Sequence, residues 1–426
     1  MAGQGKPDSK IFYGWFVLGG LFFVAAVGPM GRYILSALAP FLMRDPGWSR
    51  HTIGMAFTLH FWAYAFIAII TGRLLDTIGG RGVIICGGVL MLIGLLLLSR
   101  VHHTWTFFLT FGIVLSLAVS MTHFLPNTAI VRKWFIKKAG LATGLVTVGT
   151  VAGLGIIPPL ITHFSATIGW RNATMICGFA FATIILLSAL LIIRNTPESI
   201  GLQPDGEKPM NNPHSPILSA EQVSFRGPGP RLKPINMIVD KNFLYFFIAY
   251  SVTGIPLQGI LSHIGIWGVS LGVSAAGSGA VMTALTLPSI PVRILAGWLG
   301  DRFGKKEMLL LFNAYNIAVW IFGWYLVKGT TSYLVFILLV GLAYSAPFSL
   351  FTPFLGDLFG RAVVGSLLGI STLGHGVIGG LGPYIWGWIA DKTGTYSLVC
   401  PLSAACYVVV TVSILLIEKS PKQATS

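Results

Sequence analysis

Apolar residues along the chain come in long, nearly uninterrupted blocks, without the period-two alternation of half-buried strands or the narrow stripe of surface helices. A block of about 20 apolar residues crosses roughly 30 Å of hydrocarbon at 1.5 Å per residue. Twelve such blocks lie near 12–38, 52–74, 82–100, 105–131, 140–164, 172–193, 242–268, 274–297, 307–327, 331–356, 362–388 and 396–417. Each predicts a membrane-spanning helix, since a helix satisfies its own backbone polar groups inside lipid. The first block exceeds the 7–15 residues of a signal-peptide apolar region and reads as a true span. Between the sixth and seventh blocks the pattern turns polar over 195–239, with Pro197, Pro204, Pro209, Pro213, Pro216, Pro228, Pro230 and Pro234. That stretch predicts a linker joining two six-helix bundles, 1–194 and 240–426.

Composition agrees with this pattern and narrows the class. Charged residues make up 10% of the chain, against roughly 25% in soluble proteins. Hydrophobic residues reach 54% and mean hydropathy is +0.79. A soluble globular enzyme is excluded. The four cysteines, Cys86, Cys177, Cys400 and Cys406, each sit in an apolar run, so nothing points to a metal, a redox centre or a disulfide scaffold.

The formal net charge of +15 becomes informative once the cations are placed on alternate sides of the predicted spans. The side holding both termini carries Lys6, Lys10, Arg73, Arg81, Arg132, Lys133, Lys137, Lys138, Arg194, Lys208, Arg226, Arg231, Lys233, Lys241, Arg302, Lys305, Lys306, Arg361, Lys419 and Lys422. The other side carries Arg44, Arg50, Arg100, Arg171, Lys328 and Lys392. By the positive-inside rule both termini are expected in the cytoplasm, for a multi-pass protein of the cell (inner) membrane. The basic excess is then a topology signal, with attraction to anionic lipid as a by-product and no nucleic-acid partner required.

The halves share an element that follows the second span of each: Gly72-Arg73-Leu74-Leu75-Asp76-Thr77-Ile78-Gly79-Gly80-Arg81 and Gly297-Trp298-Leu299-Gly300-Asp301-Arg302-Phe303-Gly304-Lys305-Lys306. Such a repeat suggests two similar bundles related by an axis along the membrane normal. Both copies resemble the Gly-x-Leu-x-Asp-x-x-Gly-Arg-Lys signature of the major facilitator superfamily. The resemblance covers essentially the whole chain and implies an all-α membrane fold of twelve transmembrane helices. Within that superfamily, Tyr13-Gly14-Trp15, the segment 127–135 with Gly140-Leu141-Ala142-Thr143-Gly144, and the segment 194–202 are similar to monocarboxylate and oxalate/formate porters. The implied activity is transport of small organic carboxylates, with a proton or by anion exchange. Two departures leave both patterns open: Ser289 stands where animal-type monocarboxylate porters usually carry an aspartate, and His375 where oxalate/formate exchangers typically carry a lysine.

Independently of family, the ionisable residues within the spans are one-sided. All thirteen acids fall in loops, tails or span ends, whereas Arg32 and Arg293 lie well inside spans. An intramembrane arginine is costly and usually functional, so the missing anion is expected to be the substrate. Arg293 precedes Asp301 by eight residues, about 12 Å of helix, which puts its guanidinium near the midplane. Its fork of donors suits a carboxylate; the alternative is bonding to carbonyls freed by Pro288 and Pro291. Arg32 is expected either to attract substrate or to snorkel outward as an interface anchor.

His375, flanked by Gly374, Gly376, Gly379 and Gly380, is expected at mid-depth as a substrate ligand and the candidate proton-coupling group; the alternative is a hydrogen-bonded packing histidine, the commoner fate of His60, His123 and His263. Tyr344, Asn127 and Ser371 complete the expected substrate site as neutral donors, with interhelical hydrogen bonding as their alternative. Phe348, Phe351 and Leu285 are possible apolar walls. Gly72, Asp76, Arg81, Gly297, Asp301 and Arg302 are expected to form a conformational latch, or simply tight loops.

Gly149-x-x-x-Gly153-x-Gly155 lacks the preceding strand and Lys-Ser/Thr ending of a phosphate loop, and no nucleotide-binding domain is visible. The sequence therefore predicts a secondary transporter without cofactor, nucleotide or metal, whose partners are a small carboxylate such as lactate or pyruvate, a proton and the bilayer. The runner-up is an oxalate/formate-type exchanger. A carboxylate-sensing receptor would need a signalling domain that the short tails lack, and an intramembrane enzyme would need a nucleophile or acid pair that is not visible.

Overall fold

A computed structural model describes residues 12–45, 47–206, 238–360 and 363–418. Most of the expected linker, the extreme termini and Arg361 lie outside the described residues. Regular structure among the described residues is helical throughout.

Among the described residues, eleven helices are long and apolar enough to cross a membrane: Gly14–Leu42, Arg50–Ser99, Thr104–Trp134, Ala139–Ile168, Trp170–Ile192, Lys241–Ser270, Ser278–Phe303, Lys305–Leu326, Thr330–Phe359, Val364–Thr393 and Val399–Leu416. Arg50–Ser99 is 50 residues long and breaks at Gly79 (φ 74°, ψ 165°), so it holds the second and third spans, and the total is twelve. Gly304, at the equivalent place between spans eight and nine, also has positive φ, 99°. An L side chain is strained in that region, which is why both copies of the repeated element carry glycine there.

The equivalence extends to the neighbouring cations. Arg81 donates from Nε and Nη2 to the carbonyls of Ala189 and Leu190, 2.9 Å each, at the end of span six. Lys306 donates to the carbonyls of Ile417 (2.6 Å) and Leu415 (3.2 Å), at the end of span twelve. Each covers carbonyls that the last helical turn leaves without partners, at the end where the dipole favours positive charge.

Several spans are interrupted near mid-depth. Span one breaks at Gly28-Pro29, span four at His123, span seven at Thr253, span eight at Leu287-Pro288 and span ten at Tyr344-Ser345. Spans four and eleven contain π-helical turns, Phe108–Val114 and His375–Gly379. Proline removes a donor and opens the local ladder, as at Pro29, Pro126, Pro256, Pro288 and Pro347. Irregular backbone inside a membrane is tolerated where it is buried or lines a cavity.

The two halves meet most tightly on the face opposite the termini, the far side. There span two packs on span eleven, span five on span eight, and the second part of span one on span seven. Gly54 lies against the Pro383 carbonyl and Gly387 against the Arg50 carbonyl, so closely that neither leaves room for a Cβ. Thr162 donates to Ala276 O (2.8 Å), Thr58 to Gly380 O (2.7 Å), and Thr283 to the Gly155 carbonyl. Asp391 accepts from the His51 N–H (2.8 Å) and pairs with Arg50 at 3.8 Å. Toward the terminal side the same helices part: a Cβ at Gly140 or Gly144 on span five, Gly297 on span eight, or Gly365 or Gly369 on span eleven would meet nothing within 4 Å among the described residues. Outward-facing side chains such as Phe66, Ile69, Ile70, Leu187 and Leu191 are exposed and form the lipid-facing belt.

Candidate functional site

A cavity of about 240 Å³ lies between the halves. Span one contributes Ala25, span four His123, Asn127 and Thr128, span five Thr143, Thr147 and Thr150, and span eight Arg293. The threonines recur at i, i+4 and i+7 and so share one helix face. Its size is below the roughly 300–1,000 Å³ of drug-sized ligand sites, which suits a small solute.

Arg293 is the cavity's cation, and among the described residues no acid lines it. Opposite, Asn127 donates from Nδ2 to the Thr122 carbonyl (3.2 Å), while its Oδ1 is buried without a hydrogen-bond partner among the described residues. His123 sits on the break in span four (φ −96°, ψ −129°) with Nδ1 likewise buried and unpartnered. The Thr122 carbonyl is available to Asn127 because the helix ends at His123.

Tyr344 is buried at the break in span ten, within electrostatic reach of Arg293, while Ser289 donates to the Thr286 carbonyl (2.6 Å). Tyr250 also lies within reach of that charge. Behind it stand Phe348, with ring centroids 5.7 Å apart, and Phe351, at 5.2 Å. His375 packs 5.4 Å from both Tyr250 and Phe348. Its Nδ1 donates to the Tyr250 carbonyl (3.1 Å), which fixes the tautomer, and its Nε2 accepts from Gln258 Nε2 (3.2 Å). It does not line the cavity. Ser371 is buried, and its hydroxyl donates to Leu367 O of its own helix (2.9 Å). Leu285 is a fully buried core residue.

Arg32 overturns the snorkelling alternative: the residue is 6% exposed. Its guanidinium stacks 4.5 Å from the Phe61 centroid and 4.4 Å from that of Tyr64. Such desolvated cation–π contacts contribute about 2 kcal/mol, yet Nε and Nη2 have no hydrogen-bond partner among the described residues. Its charge reaches His60, His123 and His375. The sequence reading therefore lacked the aromatic clamp from span two, the threonine face and the exposure of His123 to the cavity; only the threonine spacing was visible in sequence.

Of the expected latch residues, Arg81 is engaged at the end of span six, as described, and its N–H donates to Asn195 Oδ1 (2.8 Å). Arg302 lies over the rings of Trp298 (5.5 Å) and Phe303 (5.4 Å). Asp76 and Asp301 are exposed; Gly297 has open space beside it, and a Cβ at Gly72 would meet Leu125 at 4.0 Å.

Twelve spans in two halves, meeting on one side of the membrane and parting on the other around a largely apolar cavity that holds one arginine and a few neutral polar groups, define a membrane transporter. The chain belongs to the Major Facilitator Superfamily, which it matches over residues 21–312 and 246–426. It is 28% identical over 338 residues to monocarboxylate transporter 12 of Xenopus laevis, covering 75% of this chain and 70% of that one. It is 24% identical over 377 residues to the riboflavin transporter MCH5 of Saccharomyces cerevisiae, covering 84% and 70%. Among solved structures, a mutant form of the nucleoside transporter NupG superposes with a TM-score of 0.74 at 15% identity, over 95% of this chain and all of that one.

Proposed function

We propose that this transporter moves small monocarboxylates of the lactate and pyruvate type together with a proton, by alternating access, across the cell (inner) membrane with both termini in the cytoplasm. The supporting observation is the Arg293 guanidinium in a small cavity that, among the described residues, is lined by no acid and whose other polar groups are neutral donors and acceptors. A carboxylate supplies the missing charge and accepts two parallel hydrogen bonds from the guanidinium fork. Tyr344 lies within electrostatic reach of Arg293, and Asn127 shares its cavity. Names of relatives add to the reading: one is a monocarboxylate transporter, although another carries riboflavin.

Coupling follows from charge balance. An empty carrier closes its apolar gates around Arg293 uncompensated, which is unfavourable; a bound anion neutralises it. A proton taken by a nearby imidazole then adds a donor to the carboxylate, so anion and proton favour each other by linkage. Uptake is expected to rise as external pH falls through about 6 to 7, the range of an ordinary imidazole. Asp76, Asp301 and their glycines would serve as the terminal-side latch when that side closes.

Arg32 supports a second reading. Its buried guanidinium, without an acid partner among the described residues, adds a second cation to Arg293 and suits a substrate with two carboxylates, as in an oxalate/formate-type exchanger. Competition against labelled lactate in proteoliposomes separates the two: displacement by pyruvate well ahead of oxalate supports monocarboxylate transport, and the reverse order supports exchange. Binding without net movement of any carboxylate would point to a sensor.

A further inference from the structure

We infer that His123, on the broken turn of span four, carries the coupling proton and bonds the substrate carboxylate. The inference rests on the proton-coupled reading above and assigns that role to a residue within the same site.

Hydrogen bonding separates the four histidines that lie at depth. His263 is engaged at both nitrogens, by Tyr396 Oη and the Pro383 carbonyl, each at 2.9 Å. His375 is engaged at both by Tyr250 and Gln258. His60 donates from Nδ1 to the Phe111 carbonyl at 2.8 Å, and although its Nε2 is unpartnered, it does not line the cavity. His123 alone among these four combines an unpartnered ring nitrogen with a place in the wall that holds Arg293 and Asn127. The break in span four is what delivers it: with φ −96° and ψ −129°, the residue departs from the helical path between Thr122 and Phe124.

Among the described residues, the charged groups near His123 are Arg293 from span eight, in the same cavity wall, and Arg32 from span one, within electrostatic reach. Among the described residues, spans two, three and five, which pack against span four, contribute no ionisable group to the cavity wall. With the cavity empty, a proton on His123 would join Arg293 in the wall and Arg32 within electrostatic reach as a third positive charge, with no acid among the described lining residues. A bound carboxylate cancels one of the three, and the proton then bonds the anion through the imidazole N–H. One anion and one proton enter from the side of higher proton activity and both leave on the other; His123 returns to its neutral form.

The test measures lactate-linked proton uptake by purified protein in weakly buffered solution with a pH-sensitive dye, for the parental protein, His123→Gln, His123→Asn and His375→Gln. About one proton per bound lactate is expected for the parental protein and His375→Gln, and less than about a tenth of that for the His123 variants, whose amides cannot titrate. Lactate-induced thermal stabilisation of the same samples verifies that the variants fold and bind. A second measurement needs no variant: lactate should protect His123 of the parental protein from diethyl pyrocarbonate, read by mass spectrometry. If the parental protein takes up no proton with lactate, the coupling reading itself fails. If it does, and the His123 variants do so equally, or if His123 is modified at the same rate with and without lactate, only the assignment to His123 is overturned.

Discussion

At the residue scale, the site turns on a guanidinium without a fixed counterion. Arg293→Lys keeps the charge but replaces a planar fork with a point charge, so lactate uptake should fall at least about tenfold, equivalent to about 1.4 kcal/mol. Parental uptake by Arg293→Ala would remove Arg293 from the site altogether. The converse substitution is equally pointed. Asn127→Asp would place an acid in the Arg293 cavity, and this internal counterion should weaken lactate binding by about tenfold or more; equilibrium binding of labelled lactate measures it, and unchanged affinity would mean that the carboxylate binds elsewhere. Arg293 and Asn127 were legible in the sequence because a polar side chain deep in an apolar run needs a partner, and no acid was available. His123 was not legible in the same way. Its sequence context resembles that of His60 or His263, and what distinguishes it is a backbone break at a residue that lines the cavity and whose buried Nδ1 has no partner among the described residues.

At the element scale, helix lengths and most interruptions follow from apolar runs and prolines, and were readable. The exception is the passage from span two to span three, where one continuous helix turns at Gly79 without leaving helical hydrogen bonding for long. The repeated element was readable as a motif, whereas its use was not: Arg81 and Lys306 complete the ends of spans six and twelve, more than 100 residues away in each case. Contacts of such long sequence separation carry no local signal. The far-side seal between spans two and eleven is of the same kind, with Arg50 and Asp391 separated by 341 positions in the numbering. Because Gly54 abuts the Pro383 carbonyl, Gly54→Val should prevent that seal from forming and shift the population toward opening on the far side. A cysteine placed at Thr147, in the cavity wall, reports it: maleimide labelling from the terminal side should fall at least about threefold in the Gly54→Val background, a population shift of under 1 kcal/mol. Unchanged labelling would show that the seal does not govern access.

At the scale of the whole molecule, the same helix pairs that close the far side diverge toward the terminal side, and the cavity lies where they part. Exchange of the two arrangements about that cavity is the physical content of alternating access, and a gradient can drive it because binding changes the charge enclosed. The most direct test is uptake of labelled lactate into proteoliposomes with and without an imposed inward proton gradient. Net accumulation above equilibrium with the gradient, abolished by a proton ionophore and by Arg293→Ala, is the predicted result. Uptake that is indifferent to the gradient, or that requires a carboxylate loaded inside the vesicles, would contradict proton-coupled monocarboxylate transport.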